Sequence, residues 1–295
     1  MGTSGSDVTD RTVLVIGDVH GCAGELADAL SVAGLDEIDL VVFAGDLIDK
    51  GPDTPRVVKM ARRLAESMPV VLVEGNHEAR FRKWRERMAT GQEKRAMSMK
   101  ESAFYLWLIQ RLGDRDLAFL DSGLLYYPLD EHNVLVTHGG VPPSLEDLPP
   151  MQMRAVERMR KAQREQARRM QEIHASEWAD GYDGRFGVVL FGHSPFHDAP
   201  TAVAFPYAVG LDLGCAAGNA LGGAILRPGR PPEFIATDAA KAYVSNPPEA
   251  VVLPDFKTFD RWRGYRRVGS IWEPVSVSSS AEEALSEAEE SDQLG

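Results

Sequence analysis

Cysteine is scarce in this chain of 295 residues: Cys22 and Cys215 are its only two. A disulfide scaffold is thereby excluded, and so few thiols suit a reducing compartment, so a cytoplasmic location is expected. Basic residues are also in short supply, 32 Lys and Arg against 44 Asp and Glu, for a net charge of -12. That balance argues against an overall attraction to nucleic acid or anionic lipid, and no stable nucleic-acid binding is expected. Long apolar runs are missing as well. The nearest approach, Thr201 to Leu226, carries Asp212 as its single charge but also Pro206, Asn219 and five glycines, which reads as buried strands and turns. No transmembrane segment is expected. The polar start, Met1 to Arg11, lacks the apolar core of a secretory signal.

What is present is 44% apolar residues, enough to bury a sizeable core. Five apolar, β-branched runs recur: Thr12 to Gly17, Leu40 to Gly45, Val70 to Gly75, Val134 to Thr137 and Val188 to Gly192. Polar chemistry follows each of them, namely Asp18, Asp46, Asn76 with His77, His138 and His193. Helices are predicted between the first three runs, over Gly24 to Ala33 and over Pro55 to Ser67, the second with Thr54 as N-cap and Pro55 at the first helical position. Strand and helix in alternation predict a largely parallel α/β core whose ligands gather beyond the carboxyl ends of the strands.

Two longer helical insertions are predicted, near residues 78–112 and 151–174. Eight Lys or Arg against two Glu lie between Ala79 and Lys100, and seven against three between Met151 and His174. A solvated helix face with i,i+4 pairs accounts for them; the rival reading is a basic rim that attracts an anionic substrate. Trp84, Phe104, Tyr105 and Trp107 read as core rather than as a platform for stacked bases. After a last predicted strand at Glu233 to Ala236, an irregular segment is expected, and from Ala281 onward six acidic residues and no basic ones read as a disordered tail.

Read together, the strand endings are Gly17-Asp18-Val19-His20-Gly21, Gly45-Asp46-Leu47-Ile48-Asp49-Lys50-Gly51, Gly75-Asn76-His77-Glu78, His138-Gly139-Gly140 and Gly192-His193. Carboxylate, amide and imidazole groups without thiolates suit hard or borderline divalent ions such as Mn, Fe or Zn. In this order and spacing the motifs resemble the phosphoprotein phosphatase type of calcineurin-like metallophosphoesterase, whose signature is GDxHG, GDxxDRG and GNHE followed by two separated histidines. The resemblance covers roughly Val13 to Leu226.

That resemblance implies an α/β fold with a central β-sandwich flanked by helices and an active site at strand C-terminal ends. It implies one domain over 1–275 and an acidic tail over 276–295. Two divalent metal ions are implied, Mn first, with Fe or Zn as alternatives. Asp18, His20 and Asp46 fall on one metal site; Asp46, as a bridge, with Asn76, His138 and His193 on the other. The implied chemistry is in-line attack of a metal-bridging hydroxide, generated by two ions about 3.5–4 Å apart. His77 corresponds to the general acid and Asp49 to the group that orients it. Glu78 and Asp212 fall in the supporting shell. Lys50 stands where the family usually has Arg, one compact charge in place of a planar fork, and with Arg185 it is a candidate for phosphate contact. A phosphorylated protein or small phosphorylated molecule is the expected substrate.

The first functional expectation is accordingly a serine/threonine protein phosphatase-like monoesterase. A symmetrical diadenosine tetraphosphatase is the alternative, followed by a cyclic-nucleotide or RNA-end phosphodiesterase and, from a different class, a metal-binding scaffold without catalysis. Cys22 and Cys215 are expected near the crevice as small buried residues.

Overall fold

The computed structural model describes residues 11–243, 250–254, 262–268, 271–278, 280 and 283. They group into two compact units, residues 1–80 with 114–244, and residues 81–113 with 245–295.

The first unit contains β1 (Val13–Ile16), α1 (Ala23–Ala33), β2 (Leu40–Phe43), α2 (Thr54–Ser67), β3 (Val70–Leu72) and the start of α3 (Asn76–Ala89). The chain leaves this unit through α3, α4 (Glu93–Met97) and α5 (Ser102–Ile109), and re-enters it with α6 (Asp114–Leu120), β4 (Tyr126–Leu129) and β5 (Val134–Thr137). There follow α7 (Met153–Val156), α8 (Lys161–Glu172), β6 (Val188–Phe191), β7 (Val203–Ala204), β8 (Ala208–Gly210), β9 (Ala220–Leu226) and β10 (Glu233–Asp238).

These strands form two five-stranded mixed sheets, ordered β10-β9-β1-β2-β3 and β4-β5-β6-β8-β7, and not one largely parallel core. Parallel pairing is confined to β1-β2-β3 in the first sheet and β5-β6-β8 in the second, and those are the strands that lead into the motifs. β9, β10, β4 and β7 pair antiparallel at the flanks. Four-residue runs such as Val13–Ile16, Leu40–Phe43 and Val134–Thr137 are buried throughout, because each strand is covered on both faces. Val13, Val15, Leu40 and Val42 of one sheet share a core with Val134, Val136, Leu190 and Val209 of the other, which makes the pair a sandwich. The alternate residues of the second sheet, Leu135, Val189 and Phe191, pack instead with Val156 of α7 and with Ala167 and Met170 of α8. Each such fully buried Val, Leu or Ile contributes about 1.5–3 kcal/mol.

The cap of α2 is Asp53 and not Thr54: the Asp53 carboxylate accepts from Arg56 N at 3.1 Å. Thr54 lies inside the helix with its hydroxyl occupied by Asp49 N, at 3.1 Å. The insertions are broken helices. In the second of them, Arg168 pairs with Glu157 and Lys161 with Glu165, and Arg169 pairs with Glu177 just beyond it, so these charges form a solvated face.

The second unit holds the rest of α3, α4 and α5, around a buried trio of Phe81, Trp84 and Tyr105. It also holds an antiparallel sheet of β11 (Ala250–Pro254), β12 (Trp262–Val268) and β13 (Ile271–Ser278), in place of the irregular segment that the sequence suggests. The acidic stretch beyond Ser278 lies, apart from Ser280 and Glu283, outside the described residues.

Candidate metal centre

Short loops after β1, β2, β3, β5 and β6 bring the motif residues together. Their backbone is unusual: of the six non-glycine residues with positive φ among the described residues, His20, Asp46, Asp49, Lys50 and His193 lie in these loops. L-residues resist that region, so the surrounding structure must hold them there. Close approach does the rest. A Cβ on Gly75 would overlap the Asp46 carboxylate, and one on Gly192 would overlap that of Asp18.

Among the motif side chains, two groups offer ligand atoms within 4.8 Å of one another: His20, Asp46 and His77, and Asp46, His138 and His193. Asp46 belongs to both. Its Oδ2 lies 3.5 Å from His20 Nε2, 3.4 Å from His138 Nε2 and 3.8 Å from His77 Nε2. Asp18 is adjacent, with Oδ2 at 3.8 Å from His20 Nε2, and accepts from His193 N at 3.1 Å.

Each imidazole is oriented by a backbone or side-chain partner on its other nitrogen. Ile48 O is 2.9 Å from His20 Nδ1, Ala44 O is 2.9 Å from His138 Nδ1, and Glu172 O is 3.1 Å from His193 Nε2. These carbonyls accept N–H bonds and leave the opposite nitrogen free to ligate. Glu172 is the last residue of α8, and two residues earlier Met170 O accepts from Gly139 N and Gly140 N. The second insertion thus braces the His138 and His193 loops. Carbonyl partners of this kind carry no signature in a sequence.

Asn76 tests whether the donor set fits a cation. Its Oδ1 is 3.1 Å from His138 Nε2 and 3.2 Å from His193 Nδ1, and the same position is 3.1 Å from Asp46 Oδ2. With His138 and His193 neutral, as ligation requires, the amide is better satisfied reversed, with its NH2 donating to all three and its oxygen accepting from Arg80 Nη2 at 3.1 Å. An amide oxygen belongs among those acceptors only if a cation lies between them. Lys50 makes the same point at the other cluster, since its ammonium stands 2.7 Å from His20 Nε2, a cation against a ligand nitrogen. The residues fit divalent metal ions.

Charge is balanced across the cluster. In the metal-free protein, burial works to raise the Asp46 carboxyl, but His138, His77 and His20 outweigh it and hold the group well below the usual range. Burial alone pulls His138 down; Asp46 and Asp18 prevail and push it up to about 10. Burial lowers His20 to about 3, and burial with the His138 charge lowers His193 to about 4. Asp18 is raised by burial and by Asp212.

His77 donates its backbone N–H to Asp46 Oδ1 at 3.0 Å and sets Nδ1 2.7 Å from Asp49 Oδ2. Glu78 acts as a clamp: one oxygen accepts from Asp46 N and Gly75 N, at 2.9 and 3.0 Å, and the other from Ile48 N at 3.1 Å. Burial and the Asp46 charge lift its carboxyl to about 7. Asp212 is buried and accepts from Gly214 N at 2.9 Å. Arg185 is exposed and pairs with Asp183 at 3.1 Å, and among the described residues no ion pair joins it to a motif side chain.

Fold and donor set define a metal-dependent hydrolase of the α/β sandwich class. A family model described as calcineurin-like phosphoesterase matches residues 11–218, and the chain belongs to that family. It is accordingly a phosphoric ester hydrolase.

Among curated proteins, the chain is 26% identical over 225 residues to the Oceanobacillus iheyensis protein named bis(5'-nucleosyl)-tetraphosphatase PrpE [asymmetrical], covering 70% of this chain and 85% of that one. A shorter match, 44% identical over 68 residues, covers 23% of this chain and 24% of a symmetrical bis(5'-nucleosyl)-tetraphosphatase from Edwardsiella ictaluri. Among solved structures, one provisionally called a diadenosine tetraphosphatase superposes with a TM-score of 0.53 at 25% identity, covering 77% of this chain and 94% of that one. A Saccharomyces cerevisiae serine/threonine phosphatase with similarity to human PP5 superposes with a TM-score of 0.53 at 16% identity, covering 80% and 84%, and shares the fold. No described helix is long and apolar enough to cross a membrane.

Proposed function

We propose that the chain hydrolyses dinucleoside polyphosphates of the bis(5'-nucleosyl) tetraphosphate type. The observation that carries this reading is the match to the tetraphosphatase PrpE, which extends over 85% of that protein and so reaches well beyond the shared metal motifs. This reverses the order expected from the motifs, which put a protein phosphatase first. A phosphoprotein phosphatase remains the second reading, since the complete GNHE motif and the His77–Asp49 pair are common to both.

Asp18, His20 and Asp46 would hold one ion, and Asp46, Asn76, His138 and His193 the other; Mn is the proposed metal. Two such ions, when bound, supply positive charge that polarises a phosphoryl oxygen and lowers the pKa of a shared water. The protein's own part is positional and protonic. Asp46, fixed by Glu78 and by the His77 backbone, spans both ion positions. His77, with Nδ1 tied to Asp49, keeps Nε2 for a proton that goes to the leaving oxygen. In the metal-free protein burial lowers the His77 pKa, but Asp46 and Asp49 override it and raise the group, which favours its protonated form. Lys50, at the mouth of the first cluster, is positioned to meet a phosphate oxygen as a single charge. A cytoplasmic location belongs to the same reading, in keeping with two free cysteines.

The test is a kinetic panel on the Mn-loaded chain with diadenosine tetraphosphate, a phosphopeptide, an aryl monoester, an aryl diester and a 2′,3′-cyclic nucleotide. The dinucleotide is expected to give the highest kcat/KM. A phosphopeptide that exceeds it would transfer the assignment to the protein phosphatase reading.

A further inference from the structure

Cys22 directly follows the first motif and stands at the N-cap of α1, with Glu25 in the first turn of that helix. Cys215 opens the short turn Cys215–Ala217, three residues beyond Asp212. The two thiol sulfurs and a Glu25 carboxylate oxygen all lie within 4.8 Å of one another, the same convergence found in the two clusters of the metal centre. Their exposures are 0%, 2% and 3%, so water does not account for the carboxylate.

Glu25 is fixed from behind. Its Oε1 accepts from the Tyr243 hydroxyl at 2.6 Å and from Ala240 N at 3.0 Å. Among the described residues no Lys, Arg or His forms an ion pair with it. A hydrogen-bonded, buried carboxylate facing two thiols, with no cationic partner, is the way a protein presents a metal ligand with its outer partner in place.

We propose that Cys22, Glu25 and Cys215 form a third cation site, selective for a thiophilic divalent ion such as Zn2+. On binding, each thiol gives its proton to solvent, two sulfur–metal bonds and one oxygen–metal bond form, and a water completes the tetrahedron. Bond lengths of about 2.3 Å to sulfur and 2.0–2.2 Å to oxygen require ligand separations of roughly 3.5–3.8 Å, so atoms that lie within 4.8 Å of one another need close by at most about 1.3 Å. Sulfur ligands set this site apart from the nitrogen and oxygen ligands of the crevice, and the two would load different ions from a mixture. An ion here would fasten the segment that follows His20 to the segment that follows Asp212. None of the three residues has a part in the proposed hydrolysis, so failure of this site leaves that reading intact.

The test titrates the full chain, stripped of metal and kept reduced, with Co2+. Three equivalents are expected to bind, one of them with an intense near-ultraviolet sulfur-to-cobalt charge-transfer band that nitrogen and oxygen ligands cannot produce. Cys22→Ser and Cys215→Ser should each abolish the band and leave two equivalents, and Glu25→Gln should weaken the third site at least tenfold. Absence of the band from the unmodified chain, with both thiols titrating as free after unfolding, overturns the proposal. So does a band that survives in Cys215→Ser, or a Cys22–Cys215 disulfide in the reduced chain. Cd2+ titration of the unmodified chain, read by cadmium–thiolate absorption, tests the same site without a substitution that could impair folding: one equivalent with that absorption supports it, and none overturns it.

Discussion

His77 Nδ1 lies 2.7 Å from Asp49 Oδ2, and the two residues come from different motifs, 28 positions apart. The bond fixes which imidazole nitrogen faces the Asp46 carboxylate. If His77 delivers a proton to the leaving oxygen, His77→Asn should lower kcat by about 10²–10⁴ while metal content stays at the unmodified level. The loss should be greatest for substrates with poor leaving groups. Equal losses for good and poor leaving groups would remove the acid role. Asp49→Asn, which keeps the contact but not the charge, should cost less than His77→Asn and move the alkaline limb of the pH–rate profile to lower pH, since Asp49 helps to raise the His77 pKa.

Asp46 stands within 3.8 Å of His20, His77 and His138, and its carboxylate is shared by both ligand groups. Asp46→Asn should therefore reduce metal stoichiometry at both positions together, with activity falling by at least about 10²-fold. Metal analysis after dialysis decides this: a variant that retains two ions and near-normal turnover contradicts the bridging role.

The metal-free protein should lose stability as pH rises from about 7 to 10. His138 sits at about 10 when folded against roughly 6.5 unfolded. Its contribution is complete below the unfolded value and disappears as pH climbs through the folded one. Glu78, lifted from 4.5 to about 7, works in the same direction below that window, as pH climbs to about 7. His20 and His193, at about 3 and 4, do not titrate there. Ligation needs neutral His138, so metal binding near pH 8 should also release a proton, visible as a dependence of the binding heat on the buffer's ionisation enthalpy. A flat alkaline Tm profile and no proton release would refute both expectations.

The ends of β1, β2, β3, β5 and β6 are legible in the sequence because an apolar, β-branched run stops at Gly or Thr and a charged or imidazole residue follows. The division of those strands between two sheets is not. Val13–Ile16 and Val134–Thr137 are buried on both faces, so neither alternates, and neither says which sheet it joins. The strands of the second unit are hidden for another reason: Pro254 and Pro274 interrupt runs that otherwise look like β-structure. The family resemblance that the motifs carry is what singles out Asp18, His20, Asp46, Asn76, His138 and His193 as candidate ligands. The carbonyls of Ala44, Ile48 and Glu172 that aim the imidazoles belong to backbone and have no residue identity to read. Arg185 lies three residues before Val188, the start of the strand that leads to His193, and it pairs with its neighbour Asp183.

Glu78 accepts three backbone N–H groups from the second and third motifs, which makes it a joint between them. Glu78→Gln keeps the size but replaces one acceptor oxygen with an NH2 group that faces donors. Leaving buried donors unpaired costs about 1–3 kcal/mol, so Tm should drop by several degrees. Metal affinity should weaken as well, since Asp46 loses its anchor. Unchanged thermal unfolding in Glu78→Gln would show that the loops are held by other contacts.

The Lys50 ammonium stands 2.7 Å from His20 Nε2, the nitrogen that an ion at the first cluster would use. Lysine and metal therefore compete for one lone pair, and loading must move the side chain outward, toward the space where a substrate phosphate arrives. Two opposed effects are expected from Lys50→Ala: metal affinity rises several-fold, because a competing cation is gone, and KM for a phosphate ester rises by about tenfold, because a charge–phosphate contact is lost. Lys50→Arg should recover the KM, since a guanidinium fork engages two phosphate oxygens. Measured together, metal titration and steady-state kinetics separate the two roles. A Lys50→Ala variant with unaltered KM would confine this residue to the metal-free state and leave phosphate recognition to other groups.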